Sequence, residues 1–267
     1  MVVASERRCC RVLAIDRSTK RYRPVERQDD ELRAKLKELA QQHPKWGVVQ
    51  LTTVVRREQV HPPNHKRVER LYREERLQLR GRRKKRPSWV KRGTPAVKPT
   101  APNECWSMDF IHDALGSGRR IKMLTIVDQF SRESPALEVD TSIRGWKVAE
   151  ILDRLAEHHA LPREIVVDNG PEFRSLALDQ WAYQRGVKLR FIEPGKPTQN
   201  AFIERFNGRV RDECLNLHWF QTLAEAKTMI EAWREEYNSY RPHGSLGGLT
   251  PLEFLSRRSE ACQLMAG

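Results

Sequence analysis

The chain has 267 residues, of which 39% are apolar: enough length for about two domains, with no apolar run near the ~18–20 residues that span a bilayer. Five scattered cysteines (Cys9, Cys10, Cys105, Cys214, Cys262) suit a reducing cytoplasm better than a disulfide framework. Met1 leads directly to Arg7, Arg8 and Arg11 without a cleavable apolar stretch, so a secreted or membrane-spanning chain is disfavoured.

The net charge of +14 is unevenly placed: residues 1–103 hold 28 basic and 11 acidic residues, residues 104–267 hold 21 and 24. A part this basic calls for polyanions, nucleic acid first among them. Acids at Asp29-Asp30-Glu31 suit a helix start, and Leu32, Leu36 and Leu39 give residues 29–42 helical periodicity up to Pro44. Residues 47–58 suit a weaker helix, with Val48, Val49, Val54 and Val55 leaving a strand open. Asn64 is placed to cap a third segment whose apolar face is Val68, Leu71 and Tyr72. Lys66, Arg70 and Arg73 share another face, with Arg67 beside them, and short helices with a basic face suit a helix-turn-helix on DNA. Arg82, Arg83, Lys84, Lys85 and Arg86 continue as an arm for phosphates. Pro87, Pro95, Pro99 and Pro102 mark residues 87–103 as a linker. Trp89 within it is more simply a linker aromatic than a base-stacking one.

Beyond residue 103 the pattern becomes α/β. Residues 104–112 alternate, with Trp106, Met108 and Phe110 on one side and Ser107, Asp109 and Ile111 on the other. Strands follow at 121–128 and 133–140, then a helix at 144–160, a buried strand at 164–167, and a helix that Pro171 opens and that runs to about 185. A fifth strand at 187–192 and a helix from Gln199 to about Cys214 come next. Thr222-x-x-Glu225 caps a helix with an apolar stripe from Leu223 to Tyr237, and Thr250-Pro-x-Glu253 caps a last short one. This order predicts a mixed five-stranded sheet with flanking helices.

The α/β half also offers the acids that phosphodiester chemistry needs. Such chemistry uses two hard cations about 3.5–4 Å apart, held by oxygen ligands. Asp109 lies within a core strand, where an acid is costly unless compensated. Asp168 ends the fourth strand, and Glu204 lies on the helix after the fifth. Asn200, Glu204, Gly208 and Arg211 share one helical face, so Glu204 is a candidate ligand and Arg211 a candidate contact to a flanking phosphate. Asp128 and Glu172 are nearby acids expected to shape a strand end and a helix start, with Asn169 and Gly170 forming a turn. His61 and His65 have half the spacing of a zinc site, but no Cys-x-x-Cys completes it.

Trp106-Ser-Met-Asp109-Phe, Val127-Asp-Gln-Phe-Ser-Arg132, Val167-Asp168-Asn-Gly-Pro-Glu-Phe173 and Lys196-Pro-Thr-Gln-Asn-Ala-Phe-Ile-Glu204-Arg-Phe-Asn-Gly resemble the retroviral-integrase-like catalytic core. The 35 residues between Asp168 and Glu204 are the D-D-35-E spacing of that superfamily. Tyr237-Asn-Ser-Tyr-Arg-Pro-His243 and Leu249-Thr-Pro-Leu-Glu-Phe254 extend the resemblance to the OrfB transposases of the IS-three family of insertion sequences. Two stretches depart from it. Gly47 to Val55 is apolar and uncharged where the family carries aromatic and basic residues, and Gly244-Ser-Leu-Gly-Gly248 is unusually rich in glycine.

The resemblance implies a ribonuclease-H-like catalytic domain at 104–258, a short tail at 259–267, and a helix-turn-helix-like DNA-binding region at 1–86. It implies a transposase whose Asp109, Asp168 and Glu204 hold two Mg²⁺ ions, with Mn²⁺ as a substitute, for end nicking and 3′-hydroxyl strand transfer. Lys196, Asn200 and Arg211 would join the N-terminal basic residues in holding DNA. The implied partners are element-end and target DNA, further copies of the chain and an upstream OrfA product, with no membrane; the implied location is the bacterial nucleoid. Two alternatives stay open: a nuclease of the same fold that does not join strands, and a DNA-binding regulator with a vestigial core.

Overall fold

Alternation along the first strand sets the architecture, because it sends apolar side chains to both faces of a sheet. A computed structural model describes residues 5–22, 29–79, 99–193 and 200–266. The strands are β1 (Cys105–Ala114), β2 (Arg120–Asp128), β3 (Leu137–Asp140), β4 (Glu164–Val167) and β5 (Lys188–Phe191), in the spatial order β3-β2-β1-β4-β5. β1 pairs antiparallel with β2 (Asp109 opposite Thr125) and parallel with β4 (Ser107 opposite Val166). Among the described residues no helix is long and apolar enough to cross a membrane.

Trp106 and Met108 face the helices α6 (Gly145–Ala156) and α7 (Leu176–Arg185), packing with Ile151, Leu152 and Trp181. Ile111, Met123 and Val127 face the other way, onto α8 (Ala201–Glu213) and α9 (Leu223–Ser239) through Ile203, Phe206, Val210, Ile230 and Trp233. The sheet is thus sandwiched between two helical layers, and the Leu223-to-Tyr237 stripe is core.

Several boundaries differ from the expected ones. β3 starts at Leu137 rather than 133, because Asp128 accepts the Phe130 and Ser131 amides and Asn238 of α9 holds the backbone of Ser134, keeping the chain in a loop. Pro171 does not open a helix: residues 171–174 are a turn, and α7 starts at Leu176, where the Ser175 hydroxyl caps the Leu178 amide. The last helix, α10 (Pro251–Ala266), runs 16 residues and takes in most of the expected tail. Both expected capping boxes form, Thr222 with Glu225 and Thr250 with Glu253.

In the N-terminal part, α1 (Glu6–Val12) and α2 (Arg17–Arg21), which the sequence pattern did not signal, precede α3 (Asp30–Gln42), α4 (Val48–Glu58) and α5 (His65–Glu74). The valine-rich stretch is helical because Leu51, Val54 and Val55 fall on one face and pack with Leu36, Leu39, Val68 and Leu71, overriding a weak local propensity. Asn64 caps α5 by accepting from the Lys66 amide at 3.0 Å.

The two stretches that depart from the family pattern meet each other. Arg57 of α4 donates to the Gly248 carbonyl and, at 2.7 Å, to Glu253. Gly248 has φ +87°, and a Cβ there would stand 3.4 Å from the Thr53 methyl. Tyr240 closes the same seam, donating to Glu58 at 3.1 Å and stacking on Trp46. One face of α4 is therefore occupied by the C-terminal part of the chain.

Candidate active site

The three acids come from three elements. Asp109 sits midway along β1, where its Oδ1 accepts the Phe110 amide at 2.8 Å and its Oδ2 accepts the Asn207 amide at 2.8 Å. Asn207 is anchored in turn by the Thr125 hydroxyl, 2.8 Å from its Oδ1 and 3.0 Å from the Asp109 carbonyl. Asp168 leaves the end of β4 and accepts the Gly170 amide at 2.9 Å. A Cβ on Gly170 would stand 2.9 Å from that same carboxylate oxygen, so a larger residue would push it aside. Asn169 ties the turn to the end of β5 by donating to the Ile192 carbonyl at 2.8 Å. Glu204 is exposed in the first turn of α8.

Electrostatics show that these groups share one field. Burial raises the Asp109 carboxyl to about 6, and the charges of Asp168 and Glu204 add to the rise against the opposing Phe110 and Asn207 hydrogen bonds. Among the described residues no three acid, imidazole or thiol groups lie close enough to hold an ion as they stand. The donor set is nonetheless all oxygen and mutually repelling, which suits a hard divalent cation and no soft one.

The neighbouring acids have other work. Asp128 is buried and accepts three backbone amides, from Asn103, Phe130 and Ser131, which closes the end of β2. Glu172 pairs with Lys122 of β2, itself 3.8 Å above the Phe110 ring; burial would raise that carboxyl, and the ammonium brings it below its ordinary range.

The expected DNA-contact residues divide into groups. Gly208 and Arg211 are exposed beside Glu204, and Arg211 reaches the His112 carbonyl at 3.4 Å. Asn200 is buried instead, with no partner for its Oδ1 among the described residues. In α5, Arg67 and Arg70 both close on the buried Asp29, Arg70 also on Glu74, and Arg73 on Glu69. Lys66 is exposed. Lys196 and the run Arg82, Arg83, Lys84, Lys85 and Arg86 lie outside the described residues, as does Trp89.

Asn207, which holds Asp109 from α8, is not singled out by the sequence pattern. The available signal is its position: an amide between the core positions Phe206 and Val210 must find buried partners.

A five-stranded mixed sheet with acids on β1, after β4 and on the helix beyond β5 defines the polynucleotidyl-transferase core of integrases. The family description "Integrase core domain" matches residues 99–197 and again 185–251, and "HTH-like domain" matches residues 27–86. The chain is 50% identical over 254 residues to the uncharacterized 31.7 kDa protein of insertion element IS407 from Burkholderia multivorans, covering 95% of this chain and 91% of that one. It is 27% identical to the transposase of insertion element IS904 from Lactococcus lactis, over 84% and 92% of the two chains. Among solved structures, the simian T-cell lymphotropic virus intasome shares the fold at a TM-score of 0.53 and 17% identity, covering 83% of this chain and 73% of that one. The chain belongs to the insertion-element transposases of the IS-three type, polynucleotidyl transferases whose substrate is DNA and whose function is DNA transposition.

Proposed function

We propose that this transposase nicks its element's ends and joins the freed 3′-hydroxyl to a target phosphodiester in line, without a covalent protein intermediate. Asp109, Asp168 and Glu204 would hold two Mg²⁺ ions, with Mn²⁺ as a substitute, and such ions would sharpen the attacking oxygen and stabilise the leaving one. The observation that carries this reading is the placement of Asp109 on β1, Asp168 just after β4 and Glu204 on α8, all within the stretches that match the integrase core. Asn207 fixes the Asp109 carboxylate, the Gly170 amide fixes that of Asp168, and Arg211 steadies the strand beyond the reacting phosphate. Lys66, Lys196 and the basic run to Arg86 supply positive charge for end DNA, the linker at 87–103 joins the N-terminal region to the catalytic part, and the burial of Asn200 takes it out of direct contact with the strand.

The family likeness supports an assembly of several copies on DNA in the bacterial nucleoid, with an upstream OrfA product as partner. A single assay tests the reaction: the chain with labelled element-end duplexes, uncut and pre-cut, and a target plasmid, with and without Mg²⁺. Joined products support transposition, cutting without joining marks a nuclease, and binding without metal-dependent cutting marks a regulator.

A further inference from the structure

Two motifs remain without a task in the active site, Val127 to Arg132 and Tyr237 to His243, and the fold brings them to the same flank of α8. Arg132 takes a left-handed backbone (φ +65°), rare for a residue with a side chain and a recurrent mark of functional positions. Its guanidinium donates to the Gln129 carbonyl and lies 4.2 Å above the Phe202 ring of α8. Phe202, Arg205 and Arg209 follow one another along that flank, roughly 100–160° round the helix from Glu204. Arg205 is exposed, while Arg132 and Arg209 are half-buried.

This cluster lacks counter-charge. Among the described residues no carboxylate stands at ion-pair distance from Arg132, Arg205 or Arg209. The acids whose fields reach the two half-buried arginines are engaged elsewhere: Glu213 takes a two-pronged bond from Arg241 at 2.5 and 2.6 Å, and Asp128 takes its three backbone amides. Burial pulls Arg132 and Arg209 below the ordinary arginine range, and repulsion from neighbouring arginines adds to it. His243 is only 3% exposed, has no partner for its Nε2, and feels the charges of Arg241, Arg209 and Arg132. Half-buried cations without an internal partner are costly, and an external anion is what would offset that cost.

We propose that Arg132, Arg205 and Arg209 form a phosphate clamp for a nucleic-acid strand on the flank of α8 away from Glu204, the ligand being a phosphodiester that is not cut. Resting on the transposase reading, this gives α8 two DNA-facing sides: the Glu204 side handles the reacting strand, and the arginine side holds a strand by its backbone without regard to sequence. The motif from Tyr237 to His243 builds the floor. Arg241 engages Glu213 so that it cannot neutralise Arg209, and Asn238 holds Ser134 in the loop that carries Arg132.

The test uses the full chain with Arg209→Gln and, separately, Arg205→Gln, on a duplex of random sequence across a salt series. Each substitution is expected to weaken binding about tenfold and to lower the slope of log K against log salt by about one. The thermal midpoint of each variant without DNA is expected to stay at or above the parent's, because repulsion has been removed. Inorganic phosphate is expected to raise the parent's midpoint more than chloride of equal ionic strength does, and to lose that excess in Arg209→Gln. The parent's slope retained in both variants would overturn the clamp. If Arg209→Gln fails to fold, the exposed Arg205 decides through the same slope. Strand joining by the parent is scored separately: a parent that binds but never cuts defeats the transposase reaction and leaves the clamp standing, and a joining parent with unchanged variant slopes does the reverse.

Discussion

Asn207 of α8 donates to Asp109 of β1 across 2.8 Å, and the Thr125 hydroxyl stands 2.8 Å from the same amide's oxygen. One buried side chain thereby links the helix that carries Glu204 to the strand that carries Asp109. Groups that orient a metal-ligating carboxylate typically matter 10–100-fold in metal affinity or activity. Asn207→Ala is therefore expected to slow metal-dependent cleavage by about that factor and to raise the half-saturating Mg²⁺ concentration, with DNA affinity preserved. A titration of cleavage against Mg²⁺ checks this, and an unchanged midpoint and rate would make Asn207 a packing residue only.

Asp109→Asn, Asp168→Asn and Glu204→Gln each remove a charge and almost no volume. Each is expected to abolish cleavage and joining while duplex binding persists, since most of the positive charge lies in residues 1–103. Gel-shift and cleavage assays on the same preparations decide it. Any one variant that still cuts removes its residue from the metal-holding set.

Arg211 lies seven residues beyond Glu204 on the same side of α8, about 10 Å along the axis at 1.5 Å per residue. Its only described tether is the long contact to the His112 carbonyl, so its guanidinium is available to a flanking phosphate. Arg211→Ala is expected to weaken binding to all duplex sequences alike and to lower the salt slope by about one. Metal affinity should not change. Affinity and slope equal to the parent's would route the DNA elsewhere.

His243 makes stability depend on pH in a definite direction. Burial, then the charges of Arg241, Arg209 and Arg132, lowers its pKa to about 3 from 6.5. The unfolded chain takes up a proton as pH falls through 6.5 and the folded chain does not, so this contribution is complete above about 6.5 and is lost progressively down to about 3. The loss is about 1.4 kcal/mol per pH unit from this one group. In urea melts without DNA, His243→Gln is expected to be less stable than the parent at pH 7.5, with the gap narrowing as pH falls to 5. A gap that stays constant would show that His243 exchanges no proton on unfolding.

Much of the site is legible in the chain itself, because its signals are local. The alternation through Asp109 and the caps at Asn64, Thr222 and Thr250 depend on residues a few positions apart, and each takes the form that local stereochemistry favours. Wherever a partner distant in sequence decides, the pattern alone falls short. Asn238 keeps Ser134 out of β3 from 104 residues away. Asp29 draws Arg67 and Arg70 inward across α3 and α5, although their spacing reads as a free basic face. Gly248 accepts Arg57 from 191 residues away, a tie between α4 and the glycine-rich turn that neither stretch signals by itself. By itself, then, the sequence determined most of the elements, since hydrophobic period and capping act within a turn or two of chain, and it nominated the three acids through the motifs they sit in. Only the tertiary structure decided which charges are neutralised and which stand without a counter-ion, because electrostatic pairing depends on distance in space and burial, and neither is encoded in spacing along the chain.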